Sequence, residues 1–160
     1  MESLGTTPGV LEASARATAE VSVSKIAGAC LCGAVKYSSP DEPAMQAVCH
    51  CKDCQRQAGT AFSVVVAVPA LSLKIEGEEN LSTYQGTGSS GKSVQRRFCR
   101  SCGSPILSVV EMIPELLFIK SGTLDDPSWL RPTMNIWCDS AQPWYEFPKG
   151  AQTFPQNPPG

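Results

Sequence analysis

From Lys25 onward, the chain consists of short runs of β-branched, aromatic and other apolar residues, and these runs are separated by turn residues. Glycine, proline, asparagine or aspartate lies between most of these runs, a pattern typical of antiparallel β domains. The pattern predicts nine strands, over residues 34–38, 45–48, 61–68, 71–75, 81–84, 93–98, 106–110, 116–120 and 133–137. We therefore expect a mainly β fold.

Only two short stretches have helical character, residues 11–21 and residues 52–58. The 13 glycines and 13 prolines make long helices unfavourable. We predict a loosely ordered extension over residues 1–24, one mainly β domain over residues 25–150, and a C-terminal tail over residues 151–160.

The composition narrows the class of protein. The 160 residues are 42% hydrophobic and 18% charged, with a net charge of −2. This balance excludes a nucleic-acid binder driven by a strongly basic surface and a disordered acidic chain. No apolar run approaches the roughly 20 residues of a membrane-spanning helix, and the first residues lack the basic and apolar parts of a secretory signal. We expect a cytoplasmic protein with neither a nucleic-acid nor a membrane partner.

The unusual feature is a set of eight cysteines beside a single histidine. In a reducing compartment such thiols stay free or bind metal. Disulfides and an iron–sulfur cluster are the alternatives, although spacings of one and two residues strain direct disulfides. By spacing, the cysteines form three groups and a singleton: Cys30-Leu31-Cys32-Gly33, Cys49-His50-Cys51-Lys52-Asp53-Cys54, Cys99-Arg100-Ser101-Cys102-Gly103, and Cys138.

The first and third groups each supply two thiolates from a turn that ends in glycine. Because a structural zinc ion takes four ligands in a tetrahedron, we predict one closed site that contains Cys30, Cys32, Cys99 and Cys102. Such a site ties together segments about 70 residues apart, so we expect it to stabilise the fold. Metal binding of this kind contributes on the order of 10 kcal/mol to folding.

The middle group has three thiolates, from Cys49, Cys51 and Cys54, and no second pair to complete it. Three protein ligands with an open fourth position are typical of a catalytic zinc ion. An extended turn points His50 away from its two neighbours. We keep His50 as a candidate catalytic residue that touches the substrate, beside a structural role or a place as fourth ligand. A second purely structural zinc, completed by His50 or Cys138, stays open, although we expect Cys138 to be a buried small residue.

Residues 86–93 match the phosphate-loop pattern G-x-x-x-x-G-K-[ST]. That pattern binds phosphate only where a helix follows the loop. Only five residues separate Ser93 from Cys99, and they include the β-prone Val94 and Phe98. We therefore expect a flexible hairpin connection.

Several ordered motifs resemble those of a known family. The first is Gly28-x-Cys30-x-Cys32-Gly33 and the second is Cys49-His50-Cys51-x-x-Cys54-Gln55-Arg56-Gln57-Ala58-Gly59-Thr60-Ala61-Phe62. Phe98-Cys99-Arg100-x-Cys102-Gly103, Gly122-Thr123-Leu124-Asp125-Asp126-Pro127 and Trp144 follow. Over residues 25–150 the chain resembles the glutathione-dependent formaldehyde-activating enzyme family.

The resemblance implies a β-tent (Mss-four-like) fold, shared with the centromere protein V type domain, in which several small antiparallel sheets are held by zinc. It implies two zinc ions per chain, one structural and one catalytic, in agreement with the spacing of the cysteines. It also implies a carbon–sulfur lyase that adds formaldehyde, or a related small aldehyde, to the thiol of glutathione.

Two other classes of function stay open. One is a different zinc-dependent lyase or isomerase of a small metabolite on the same scaffold, and the other is a non-catalytic module that binds a thiol or a protein partner. Methionine sulfoxide reductases share the broad fold but need a reactive cysteine outside the zinc site, for which Cys138 is the sole candidate. A homodimer is a further expectation.

A glutathione co-substrate would need cations for its carboxylates. We expect Arg56 and Arg97 to bind them, with Arg96 and Lys52 as further candidates, since guanidinium groups pair well with carboxylates. Proton transfer is assigned to Asp53 and His50 as candidates. Trp137 and Trp144 are candidates for the pocket walls, although we expect core packing for both.

Overall fold

The computed structural model describes residues 26–159, which form eleven β-strands and one α-helix. The strands are β1 (Ile26–Ala29), β2 (Lys36–Ser39), β3 (Met45–Cys49), β4 (Ser63–Pro69), β5 (Lys74–Glu76), β6 (Leu81–Thr87), β7 (Ser93–Cys99), β8 (Pro105–Val110), β9 (Leu116–Lys120), β10 (Met134–Ile136) and β11 (Gln152–Thr153). The helix α1 spans Lys52–Ala58, and single 3-10 turns occupy Glu78–Asn80, Ser121–Thr123 and Cys138–Ser140.

The mainly β fold class is confirmed. The nine predicted strands correspond to β2–β10, and α1 has the predicted bounds. Strands β1 and β11 were not predicted, because each is short and lacks a run of β-branched or aromatic residues. The predicted helix over residues 11–21 lies outside the described residues.

The strands form two sheets of unequal size. A three-stranded sheet has the order β1-β2-β5, and an eight-stranded sheet has the order β11-β10-β3-β4-β9-β8-β7-β6. All pairs are antiparallel except those of β10, which runs parallel to both β3 and β11. The parallel pairs bring the last part of the described chain beside the end of β3, where the middle cysteine group begins.

The hydrophobic core joins the two sheets. Ile26 and Tyr37 of the small sheet belong to one buried cluster with Val66, Leu107 and Ile119 of the large sheet. The apolar faces of both sheets are thereby removed from water, which is the main contribution to stability in a fold of this size.

Among residues 26–159, the only α-helix is seven residues long. No helix in that part of the chain has the length and apolar character needed to cross a membrane.

Candidate metal centres and the adjacent cleft

The first and third cysteine groups come together in space. The sulfur atoms of Cys30, Cys32, Cys99 and Cys102 all lie within 4.8 Å of one another. The Sγ atoms of Cys30 and Cys32 are 3.5 Å apart, and those of Cys32 and Cys99 are 3.8 Å apart. A tetrahedral zinc ion with Zn–S bonds of about 2.3 Å separates its sulfurs by about 3.8 Å, so the four thiols fit zinc.

The two turns that carry these thiols both end in a glycine with a positive φ angle. Gly33 and Gly103 each have φ of 76°, in the left-handed region that glycine adopts without strain. Each glycine closes its turn through a backbone hydrogen bond, to Cys30 O at 2.9 Å and to Cys99 O at 2.8 Å. The amide of Val35 also donates to Cys30 Sγ at 3.2 Å. These turns bring the four sulfurs together, and a backbone amide donates to the sulfur of Cys30.

The middle group lies at the junction between β3 and α1. Cys49 is the last residue of β3, Cys51 is the N-cap of α1, and Cys54 is in its first turn. The amide of Cys54 donates to Cys51 Sγ at 3.3 Å. The three sulfurs lie within 4.8 Å of one another, and no further Cys, His, Asp or Glu of residues 26–159 joins the group. The donor set fits a soft metal such as zinc and leaves a fourth position without a described protein ligand.

The pKa values of the three thiols in the middle group are shifted in different directions. Hydrogen bonds with Cys49 and Cys54, together with the charge of Arg96, lower the pKa of Cys51 to about 2. The hydrogen bonds with Cys51 and Cys54, and then burial, raise the pKa of Cys49. For Cys54, the hydrogen bond with Cys49 and the charge of Lys120 lower the pKa, but the hydrogen bond with Cys51 and burial raise it more. Arg96 and Lys120 are therefore the cations that act on this group.

Lys120 is a residue that the sequence interpretation missed. It is the last residue of β9 and only 5% exposed, and its Nζ donates to Ser63 Oγ at 3.3 Å. Lys120 pairs with Val65 on β4, and Ser63 pairs with Cys49 on β3. Cross-strand partners share a face, so the ammonium lies on the face that carries the Cys49 thiol. A charged residue that ends an apolar strand, Leu-Leu-Phe-Ile-Lys, was the available signal.

His50 points to the other side of the junction. It is fully buried, its Nε2 bonds to Asn135 Oδ1 at 3.1 Å, and its ring makes edge contacts with Phe62, Tyr145 and Phe147. His50 does not join the three sulfurs, so the alternative in which it is the fourth metal ligand finds no support in the geometry. Its contacts hold the last part of the chain against the cysteine turn.

Gln55 extends this connection and was also missed. Its Nε2 donates to His50 O and to Ser140 O, and its Oε1 accepts from Gln142 at 2.8 Å. The helix is thereby bonded to the segment after β10. The residue occurs inside the cysteine motif, but its partners are 85 and 87 residues away and the motif does not reveal them.

A cleft of about 580 Å³ lies between α1 and the β6–β7 hairpin. The charged residues that line it are Asp53, Arg56 and Arg96, and its aromatic walls are Tyr84 and Phe98. Arg96 connects the cleft to the middle cysteine group, because it lines the cleft and its charge lowers the pKa of Cys51. Asp53, which also lines the cleft, lies between Cys51 and Cys54 in the chain, whereas the three cysteines themselves do not line it. The cleft is therefore a candidate binding site beside the middle cysteine group.

The structure separates the two arginines that we expected to act together. Arg56 lines the cleft, whereas Arg97 lies on the opposite face of β7 from Arg96 and binds Glu78 at 2.7 Å. Lys52 also lies apart, since its Nζ donates to the carbonyl of Ser140. The second cation in the cleft, beside Arg56, is Arg96, which binds Asp53 at 3.0 Å.

The structure also separates the two residues considered for proton transfer, and it places both tryptophans outside the cleft. His50 bonds to Asn135, while Asp53 binds Arg96. Trp144 is 67% exposed and Trp137 donates to Asn157, and neither lines the cleft. The two tryptophans form neither the walls nor the buried core, because both lie in the irregular segment after β10.

Two other predictions concern residues outside the thiolate groups. The phosphate-loop pattern forms the hairpin between β6 and β7, as predicted, and its lysine, Lys92, pairs with Glu111 at 3.4 Å. Two residues of this pattern, Gly86 and Thr87, line the cleft. Cys138 is partly buried, belongs to neither thiolate group, and its Sγ donates to Asn135 O at 3.4 Å.

Comparison with known proteins identifies a family and structural relatives. The family model described as glutathione-dependent formaldehyde-activating enzyme matches residues 25–140, which include both thiolate groups. A crystal structure of a Rhodobacter sphaeroides protein, a structural genomics target, is similar at a TM-score of 0.51 and 24% identity. The similarity covers 67% of this chain and 92% of that one, and at this identity it shows the fold alone. No curated protein matches the chain.

Proposed function

The chain belongs to the glutathione-dependent formaldehyde-activating enzyme family, and from this premise we propose that it adds formaldehyde or a related small aldehyde to the thiol of glutathione. The reaction is that of a zinc-dependent carbon–sulfur lyase. The observation that carries the proposal is the group of Cys49, Cys51 and Cys54, which presents three convergent sulfurs and no fourth described ligand.

The donor set favours thiol chemistry. A zinc ion held by these three thiolates supplies Lewis acidity, softened by a formal charge of −1 on the three-thiolate complex. A soft site of this kind favours a sulfur ligand over the generation of free hydroxide. The closed group of Cys30, Cys32, Cys99 and Cys102 has no open position and supports the fold instead.

The surrounding residues supply charge for an anionic thiol. Lys120 is buried on the face of Cys49, where its charge favours a sulfur that has lost its proton. Arg56 and Arg96 line the cleft, where their guanidinium groups can bind carboxylates. These groups orient a thiol whose other end carries negative charge.

The reaction needs no oxidant or reductant. The thiol loses a proton to water, its sulfur forms a bond to the aldehyde carbon, and the carbonyl π electrons move to oxygen. The oxygen then takes a proton from water, and the product is a hydroxymethyl thioether. The chain holds the two reactants near each other and stabilises the charge that passes from sulfur to oxygen.

The compartment follows from the same chemistry. Seven thiols that serve as metal ligands must stay reduced, so the protein is expected to work in the cytoplasm. There its co-substrates are a small-molecule thiol and an aldehyde.

The test is direct observation of binding and turnover. The zinc-loaded protein is titrated with glutathione, and ¹³C-formaldehyde consumption is then followed by NMR in the presence of glutathione. Faster formation of the hydroxymethyl adduct than in buffer, lost in Cys54→Ser and kept in the matched variant Cys138→Ser, is the expected result. Glutathione binding without acceleration assigns the protein to the non-catalytic thiol-binding class, and loss of turnover in Cys138→Ser favours redox chemistry instead.

A further inference from the structure

The two sheets of the described chain have four edge strands, and three of these edges are protected against pairing with a further strand. Strand β11 has only two residues, and β5 has three, of which Lys74 and Glu76 are charged. Strand β1 is bonded to the segment that follows β9, since Asp125 N donates to Ala27 O at 2.9 Å. Short length, charge and coverage by another segment are the devices by which proteins prevent edge-to-edge association.

The fourth edge strand, β6, has none of these protections. It has seven residues, Leu-Ser-Thr-Tyr-Gln-Gly-Thr, without a charge or a proline. Thr83, Tyr84 and Gln85 are exposed, and β7 is the only strand that pairs with β6 within residues 26–159. Because threonine and tyrosine favour strands, a long uncharged edge of this composition is a template for a further strand.

Every second residue of β6 directs its backbone N–H and C=O groups away from β7. Ser93 O accepts from Glu111 N at 3.0 Å, so the backbone groups of Ser93 face β8 rather than β6. Ser93 is the cross-strand partner of Thr87, and the two residues of such a pair in an antiparallel ladder both face away from each other. By the same alternation, the outward-facing residues of β6 include Thr83, Gln85 and Thr87.

The pattern of β6 suits a second copy of the same strand. When two β6 strands run antiparallel about a two-fold axis at Tyr84, the outward groups of Thr83 in one copy meet those of Gln85 in the other. The two Tyr84 side chains then form a non-hydrogen-bonded pair, in which side chains approach closely. Tyr84 is 63% exposed, so this aromatic pair removes apolar surface from water and stabilises the joined sheet.

The charges beside β6 favour the antiparallel orientation. The acidic Glu78 and Glu79 precede the strand, and Lys92 lies in the turn between β6 and β7. In an antiparallel pair the beginning of one strand lies beside the end of the other. The acidic residues of each copy therefore approach Lys92 of the partner subunit, whereas a parallel pair would bring like charges together.

We propose that β6 is the interface of a homodimer, in which two copies of the large sheet join edge to edge through antiparallel β6 strands. This surface goes beyond the proposed function, since its formation needs neither a thiol nor an aldehyde. Tyr84, Gly86 and Thr87 of β6 also line the cleft. In the dimer the two clefts lie on the same face of one continuous sheet, and Tyr84 of the partner subunit stands at the edge of each cleft.

The test measures the association of the zinc-loaded protein by sedimentation equilibrium, and amide hydrogen exchange by NMR. We expect a weak dimer in which the amides of Thr83, Gln85 and Thr87 exchange more slowly as the protein concentration rises. The amides of Tyr84 and Gly86 bond to β7 in both states, so their exchange is expected to stay the same. A monomer at every concentration overturns the interface, and so does a dimer whose outward amides show no change.

Gln85→Pro attacks the interface directly. Its N–H faces away from β7, a position at which an edge strand accepts proline. The variant removes one hydrogen bond of each copy from the interface, so we expect the dimer to dissociate at about tenfold or more higher concentration. Circular dichroism checks that the monomer stays folded. Unchanged association in a folded Gln85→Pro protein overturns the interface.

Gln85→Lys and Gln95→Lys decide the case if Gln85→Pro fails to fold. The two glutamines are exposed cross-strand partners, so their side chains lie on the same face of the hairpin, but only Gln85 lies on the edge strand. We expect about threefold to tenfold weaker association in Gln85→Lys, because like charges of the two copies approach each other, and unchanged association in the matched control Gln95→Lys. Equal weakening in both variants reduces the effect to net charge and overturns the interface, as does unchanged association in Gln85→Lys.

Discussion

Both cysteine groups offer sulfur atoms as metal ligands, but one has the four that a tetrahedral site needs and the other has three. The first joins two distant turns into a set of four sulfurs, and the second draws three sulfurs from one strand end and one helix turn. Around the closed group the neighbours are mainly backbone amides and Ser104, which bond to the sulfurs or to the turns. Around the open group the neighbours are the cations Arg96 and Lys120. The closed group is thus a complete set of four sulfurs held by backbone bonds, whereas cations accompany the open group of three.

The largest expected effect is on the closed group. Cys102→Ser removes one of its four ligands, and because such sites contribute on the order of 10 kcal/mol to folding, we expect loss of the folded state. Circular dichroism and zinc content measure the outcome. A folded Cys102→Ser protein that keeps its full zinc content would contradict the structural role.

A smaller effect on the fold is expected at the open group. Cys54→Ser should lower turnover by more than about 100-fold, because loss of a direct metal ligand exceeds the 10–100-fold cost of losing an outer contact. The variant should remain folded and retain about one zinc ion per chain, that of the closed group. Thermal unfolding and metal analysis test this, with Cys138→Ser as the control. If Cys54→Ser unfolds like Cys102→Ser, the contrast between the groups disappears.

The next prediction concerns the buried His50, which lies beside the open group in the chain but does not belong to it. Asn135→Ala leaves His50 Nε2 without its partner in a fully buried position. We expect a loss of about 1–3 kcal/mol in the free energy of unfolding, as for an unpaired buried polar group. Urea denaturation measures it, and zinc content is expected to stay the same. Unchanged stability combined with loss of zinc would instead make this network part of the metal site.

The smallest expected effect concerns the charge beside the open group. Lys120→Met keeps the length of the buried side chain and removes its ammonium, so we expect about threefold to tenfold weaker binding of an anionic thiol, as for one hydrogen bond. Titration with glutathione measures the change. Lys52→Met is the control, since Lys52 bonds to a backbone carbonyl away from the cleft. Equal effects of the two variants would show that Lys120 acts only through net charge.

Much of this arrangement was predictable, because it depends on short-range geometry. Two cysteines that are separated by one or two residues in a turn ending in glycine bring their sulfurs together in any fold. The pairing of Cys30 and Cys32 with Cys99 and Cys102 therefore followed from the number of ligands that zinc needs. The helix over Lys52–Ala58 has the predicted bounds, since its Cys51 N-cap lies within the cysteine motif. Strand ends were less certain, as for β5, where a turn that bonds Ser72 to Pro69 takes the first predicted residues.

The remaining choices required contacts between residues far apart in the chain. Adjacent arginines at 96 and 97 are equivalent in the sequence, but the alternation of β7 sends one to the cleft and the other to Glu78. Likewise, Lys120 comes to lie on the face of Cys49 only when β3, β4 and β9 are in register.

The sequence by itself determined the class of fold, the two thiolate groups and the family, because strand pattern and ligand spacing are local properties that survive any arrangement of the rest. Only the tertiary structure decided which charged side chains face the open group and which turn away. Strand register and the reach of each side chain determine that choice, and both depend on how segments tens of residues apart pack together.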